Sequence, residues 1–138
     1  MKGIAFILLS AFLFGCGTQP SKIDSPQVVT TAGVSEISPA AAKPAVEAAY
    51  SQFVDVRSVE EYDAGHAYRA RNIPLETLAS NLDKLEKNEP VYIICRTDNR
   101  SRQAAKVLVE AGFAQPIVVT GGTEAWKAAG YPMEVPKK

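Results

Sequence analysis

Val91-Tyr92-Ile93-Ile94-Cys95-Arg96-Thr97-Asp98-Asn99-Arg100-Ser101 is a strand, a loop and the start of a helix. Val91 to Ile94 is a short run of β-branched, aromatic and aliphatic residues, the pattern of a buried strand. From Gln103 onward, Ala104, Ala105, Leu108 and Ala111 line one helical face, and Gly112 stops the pattern. Cys95 lies on the polar loop between the two. A group at a strand end and at the mouth of a helix meets backbone N–H groups and a helix dipole that favour an anion. Arg96 and Arg100 add positive charge, and each of these effects raises the thiolate fraction of a cysteine. Most free cysteines are small, inert hydrophobes. The polar residues directly after Cys95 favour the reactive reading.

The same alternation extends in both directions. Val34 to Ile37 is a short strand. Ser38-Pro39 supplies an N-cap and a proline at the first helical position, opening an alanine-rich helix to about Tyr50. Phe53 to Val56 is a strand. Ser58 and Glu61 have capping-box spacing, so a short helix runs from there to Gly65. Arg71 to Ile73 is a strand before Pro74. Leu78, Leu82 and Leu85 predict an amphipathic helix. Ile117 to Val119 is a strand, and Gly121-Gly122 turns into a last helix that carries Trp126 to Gly130. Short apolar strands alternating with helices predict an α/β fold with a largely parallel central sheet. Ligands of such sheets bind beyond the C-terminal strand ends, where Cys95 lies.

The chain has 138 residues, 15 basic and 15 acidic, so one domain is expected and charge gives no reason to expect nucleic acid. A single histidine, His66, and the absence of a Cys-x-x-Cys pair argue against a zinc site. The N-terminus reads as a targeting segment. Ile4 to Phe14 is apolar apart from Ser10, too short to span a bilayer and suited to a secretory signal. Leu13-Phe14-Gly15-Cys16 resembles a bacterial lipobox, with Cys16 as the lipidated residue. Residues 1–15 are therefore expected to be a lipoprotein signal peptide, 16–33 a flexible lipid-anchored tether rich in small and polar residues, and 34–138 the domain. An exported protein tied to a bacterial membrane, facing the periplasm or cell envelope, follows from this. With Cys16 lipidated, Cys95 has no partner in the chain. A lone thiol in a compartment that favours disulfides again points to reactivity or intermolecular pairing.

From Ile37 to Val135 the chain resembles a rhodanese homology domain. Phe53-Val54-Asp55-Val56-Arg57-Ser58 with Glu60-Glu61-Tyr62 is similar to that family's first strand-helix signature. Gly65-His66 and Asn72-Ile73-Pro74-Leu75 resemble the segment that follows, and Cys95 to Ser101 the catalytic loop. Gly121-Gly122 and Ala125-Trp126 before Ala129-Gly130 resemble the C-terminal signature. The resemblance implies a central sheet with helices on both faces, no cofactor, and sulfur transfer by a persulfide on Cys95. It implies a small anionic donor such as thiosulfate and a cyanide or thiol acceptor, with Arg96, Thr97, Asp98, Asn99, Arg100 and Ser101 forming the anion-binding loop. Within it, Arg100 is the expected direct ligand. A monomer is expected.

Two positions depart from the family pattern. The loop usually reads Cys-x-x-Gly-x-Arg, and Asp98 stands at the glycine. Glycine there permits positive φ, and a carboxylate beside the anion site would repel the donor unless it pairs with an arginine or points outward. Ala67-Tyr68-Arg69-Ala70 replaces a proline-glycine pair, which is expected to alter a surface loop. His66 is expected to be a packing or hydrogen-bonding residue, Asp55 and Arg57 a structural ion pair or a brace for the loop, and Trp126 core. Phosphatases and arsenate reductases also use a cysteine and an arginine on an anion loop, but theirs is longer by one residue than the stretch from Arg96 to Asn99. A non-catalytic rhodanese-like binding module is the other alternative; retention of Cys95 argues against it and Asp98 for it.

Overall fold

The structure is a computed structural model that describes residues 28–137. The signal segment 1–15, Cys16 and most of the expected tether lie outside the described residues. The first described residues correct the tether boundary. β1 (Val29–Thr31) pairs antiparallel with β2 (Val34–Ile37). Thr31 faces Val34 across a two-residue turn in which Ala32 and Gly33 have φ of 49° and 81°. Positive φ at both central residues is the hairpin geometry that matches strand twist. Thr31-Ala32-Gly33 lacks the Asn-Gly or Asp-Gly pair that marks this turn in a sequence.

Ser38 caps α1 (Pro39–Glu47), its hydroxyl accepting from the Ala41 amide. The chain then forms β3 (Gln52–Asp55), α2 (Val59–Asp63), β4 (His66–Ala67) and β5 (Arg71–Asn72). At α2 both halves of the Ser58–Glu61 capping box are made. The leucine-patterned helix does not form as one piece. α3 (Leu75–Leu78) ends early, and Leu82–Lys84 makes a separate 3-10 turn. Asn81 breaks the helix at φ −126°, ψ 20°, while its side-chain amide donates to the Thr77 carbonyl at 2.7 Å. Leu78 and Leu85 still reach one apolar cluster, with Leu82 packed against it. The periodicity reported the buried face correctly and the backbone state incorrectly.

β6 (Val91–Ile94), α4 (Asn99–Glu110), β7 (Pro116–Val119), α5 (Gly122–Ala128) and β8 (Met133–Glu134) complete the chain. The main sheet has the order β1-β2-β7-β6-β3-β5, parallel throughout except at β1. β4 and β8 form a separate antiparallel pair.

Alternation along the strands separates two cores. Val54, Ile93 and Val118 pack with α3 and α4, while Phe53, Ile94 and Val119 pack with α1 and α5 on the opposite face. Trp126 is fully buried in the second core, with its indole N–H donating to the Pro132 carbonyl at 3.0 Å. Burial of one such large side chain contributes about 2–3 kcal/mol. β6 therefore lies inside the sheet, buried on both faces, and the loop after it is held by both layers.

Candidate active site

Cys95 follows β6 directly. Its side chain continues the Ile93 face and packs in the cluster that contains Ala104 and Ala105 of α4. Only 1% of the residue is exposed, so Cys95 is buried and also has polar contacts. Ser101, in the first turn of α4, donates to Sγ twice: from Oγ–H at 2.9 Å and from its backbone N–H at 3.4 Å. Ser101 thus aims both of its donors at the one sulfur.

The far side of the loop is fixed by α5. The amides of Thr123 and Glu124 donate to the carbonyls of Cys95 and Arg96 at 2.8 and 3.2 Å. In a trans peptide the N–H opposes the C=O, so the amides of Arg96 and Thr97 turn away from α5. Neither they nor the Asp98 amide donates to an acceptor among the described residues. The amides of Asn99 and Arg100 begin α4, where a helix leaves them without internal partners. The result is a run of unpartnered amides on the side of the loop away from α5, continuous with a helix start, an arrangement suited to holding an anion. Gly122 makes this packing feasible, because a Cβ there would come closer than 3.0 Å to the carbonyl oxygens of Cys95, Arg96 and Thr97. The glycine pair, read from sequence as a turn, is the floor of the loop.

The arginines do not lie free around the sulfur. Arg100 makes two bonds to Glu61, at 2.6 and 2.8 Å. Glu61 also accepts from the Ser58 amide as the far half of the capping box. Its hydrogen bond from Arg100 brings the Glu61 pKa down to about 2. Arg100 is held protonated first by Glu61, with smaller charge contributions that include Cys95. Arg100 thus acts on the sulfur by charge, as part of a pair that ties the loop to α2. The guanidinium of Arg100, the expected direct ligand of the donor, is thus already bonded to Glu61. Arg96 pairs with Glu124 at 2.8 Å on the surface, where such pairs contribute little. Thr97 and Asn99 are exposed, and the Asn99 side chain accepts from Gln103.

Asp98 has φ −140° and ψ −17°, so the position needs no left-handed backbone. One oxygen accepts from the Gly121 amide at 2.6 Å and the other pairs with Arg102 at 3.2 Å.

Asp55 and Arg57 form a buried pair, with Nη2 to Oδ2 at 2.7 Å, and Arg57 also donates to the Gly65 carbonyl at 2.8 Å. The pair fixes the end of α2, hence Glu61, hence Arg100. His66 stacks on Tyr62 with ring centroids 3.6 Å apart, and its nitrogens contact the Tyr62 carbonyl and Glu134. The ring is thus both packed and hydrogen-bonded. Among the described residues no group of three metal-ligating side chains is placed to hold an ion. An open cleft of about 580 Å³ borders the loop, with Arg57, Glu61, Arg96, Lys127 and Met133 in its lining.

The depressed Glu61 pKa has a stability consequence. Its folded value, about 2, lies below the ordinary 4.5. The pair therefore stabilises the fold fully above the ordinary value and loses that contribution as pH falls toward 2. Screening at this partly exposed pair reduces the contribution to about 1 kcal/mol. Glu61→Gln should lower the melting temperature at pH 7, with the difference from native shrinking as pH falls from 4.5 toward 2. A difference that stays constant across that range would contradict the assignment.

Residues 38–129 match the rhodanese-like domain family. The chain belongs to that family. Thiosulfate sulfurtransferase GlpE of Actinobacillus pleuropneumoniae serotype 3 is 34% identical to the chain over 99 residues, covering 72% of this chain and 92% of GlpE. Uncharacterized protein YqhL of Bacillus subtilis is 36% identical over 76 residues, covering 55% of this chain and only 60% of YqhL. A rhodanese-like domain protein of Staphylococcus aureus has a similar crystal structure, with TM-score 0.64 and 33% identity over 74% of this chain and 98% of that one. The rhodanese-like fold accounts for the mostly parallel sheet, the helices on both faces and the loop at the C-terminal end of its inner strand.

Proposed function

We propose that this rhodanese-like domain is a sulfurtransferase that carries sulfane sulfur as a persulfide on Cys95. The observation that carries the reading is the Sγ atom bonded by both donors of Ser101, beside loop amides that have no acceptor among the described residues. The Cys95 thiolate attacks the outer sulfur of thiosulfate. The new S–S bond forms as the old one breaks, and sulfite leaves with the electron pair. The terminal sulfur of the persulfide carries the negative charge, and the loop amides hold it. Cyanide or a thiolate then attacks that sulfur, takes it as thiocyanate or as a new persulfide, and returns Cys95 to its thiolate. GlpE, named for this activity, supports thiosulfate as the donor class. The short spacing from Cys95 to Arg100 supports a single sulfur over a tetrahedral oxyanion.

Steady-state thiocyanate formation from thiosulfate and cyanide by the purified protein tests the reading; no turnover above the uncatalysed rate would overturn it. Ser101→Ala removes one charge-assisted bond to the sulfur, so kcat should fall roughly tenfold. A kcat equal to native would mean that the hydroxyl does not serve the thiolate.

The lipobox-like Leu13 to Cys16 supports anchoring to a bacterial membrane, with the domain working as an exported monomer on small solutes. Cys16→Ser should move the protein from the membrane pellet to the soluble fraction. Continued sedimentation would contradict lipid attachment at that residue.

A further inference from the structure

Asp98 stands at the N-cap of α4, where an aspartate ordinarily bonds the second or third amide of its own helix. It makes no such bond. The amides that a capping carboxylate would occupy belong to Arg100 and Ser101, and the Ser101 amide points instead at Cys95 Sγ. The carboxylate is drawn across to α5, where Oδ1 accepts from the Gly121 amide at 2.6 Å. Oδ2 pairs with Arg102 at 3.2 Å, and Arg102 is fixed in turn by Glu36 of β2 through bonds of 2.8 and 3.1 Å. Both oxygens are engaged, one by the Gly121 amide and one by the guanidinium that Asp98 shares with Glu36. The geometry answers the two objections to an acid in this loop: its φ is negative, so glycine is not required, and its carboxylate is bound away from its own helix start.

We propose that Asp98 is a positioning residue, a latch that joins the Cys95 loop to the turn before α5 and leaves the amides at the start of α4 to the sulfur. The latch stands next to the two bonds from Thr123 and Glu124 to the loop carbonyls. All three contacts hold the same loop against the same helix end. Arg102 and Glu36 aim the carboxylate, and the Gly121 bond does the holding. This deepens the sulfurtransferase reading and rests on it for the meaning of the held amides. The contact itself is testable without turnover.

The test compares native protein with Asp98→Ala and Asp98→Asn, each checked for native melting behaviour. The asparagine keeps an oxygen for the Gly121 amide and discards the charge. Alkylation of Cys95 by iodoacetamide, followed on the Cys95 peptide by mass spectrometry, reads how often the loop opens. Asp98→Ala should be alkylated about tenfold faster than native, and Asp98→Asn should return to within about threefold of native. Thiocyanate turnover should follow the same order through kcat, with the asparagine rescuing the alanine's loss. Alkylation of Asp98→Ala at the native rate would overturn the latch, as would an asparagine variant as fast as the alanine. Absence of turnover in native protein would instead overturn the sulfurtransferase reading, while the alkylation rates would still decide the latch.

Discussion

Cys95→Ser should abolish thiocyanate formation, a loss of about a thousandfold or more. The substitution is nearly isosteric at a site only 1% exposed. The serine hydroxyl retains Ser101 as a partner, since Ser101 Oγ lies 2.9 Å from the present sulfur. The new hydroxyl is therefore not left unsatisfied, and the fold should persist with a stability change of about 1 kcal/mol. What disappears is the chemistry. A serine is not appreciably ionised near neutral pH, and its oxygen cannot replace sulfur in a persulfide. Folding and turnover thus separate in one variant. Thermal melting confirms the first and the thiosulfate–cyanide assay measures the second. A folded serine variant with native turnover would remove Cys95 from the mechanism.

Gly122→Ala should damage stability and activity together. Gly122 has φ +60°, where an L side chain is strained. The added Cβ would also meet the carbonyl oxygens of Cys95, Arg96 and Thr97, all backbone atoms that cannot rotate aside. The loop must move forward or α5 must withdraw. Either response breaks the bonds from Thr123 and Glu124 that turn the carbonyls back. A cost of about 3 kcal/mol is expected, which corresponds to a fall in melting temperature of at least about 10 °C. The proposed sulfur transfer should drop with it even at temperatures where the variant is folded, because the loop loses the shape that the bonds from α5 impose. A variant with native melting temperature and turnover would show that the close approach of α5 to the loop is not needed.

The contrast between these two positions shows how much a sequence discloses. Cys95 was legible because its setting is local: an apolar strand, a polar loop and a helix pattern follow one another within a few residues. The parallel sheet was legible for the same reason, as was the Ser58–Glu61 capping box. Gly122 was read only as a turn, since its partners are carbonyls more than twenty residues away in the chain. Glu61 carried a helix-start signal that its cap fully explains. Nothing local marks its second bond to Arg100. The leucine pattern after Pro74 gave the correct buried face, yet Asn81 divided it into two short pieces. β1 was hidden because Ala32 takes a conformation that its residue type does not announce. Asp98 stands out in the sequence as a departure from the family loop, but its partners, Gly121 and Arg102, are visible only in the fold.

The same contacts explain how the domain divides its labour. The inner strand β6 and α4 present the sulfur, α5 holds the back of the loop, and α2 holds Arg100 at its side. The buried Asp55–Arg57 pair ties α2 to the sheet. Each support comes from a different element, so the loop's shape depends on the whole fold, although the proposed chemistry rests on one atom.

That atom gives the most direct test. Protein incubated with thiosulfate, freed of excess donor and measured by mass spectrometry should gain one sulfur atom. Digestion should place the gain on the peptide that contains Cys95, and cyanide should remove it with release of thiocyanate. No gain on that peptide, or a gain that survives Cys95→Ser, would contradict a persulfide carried by Cys95.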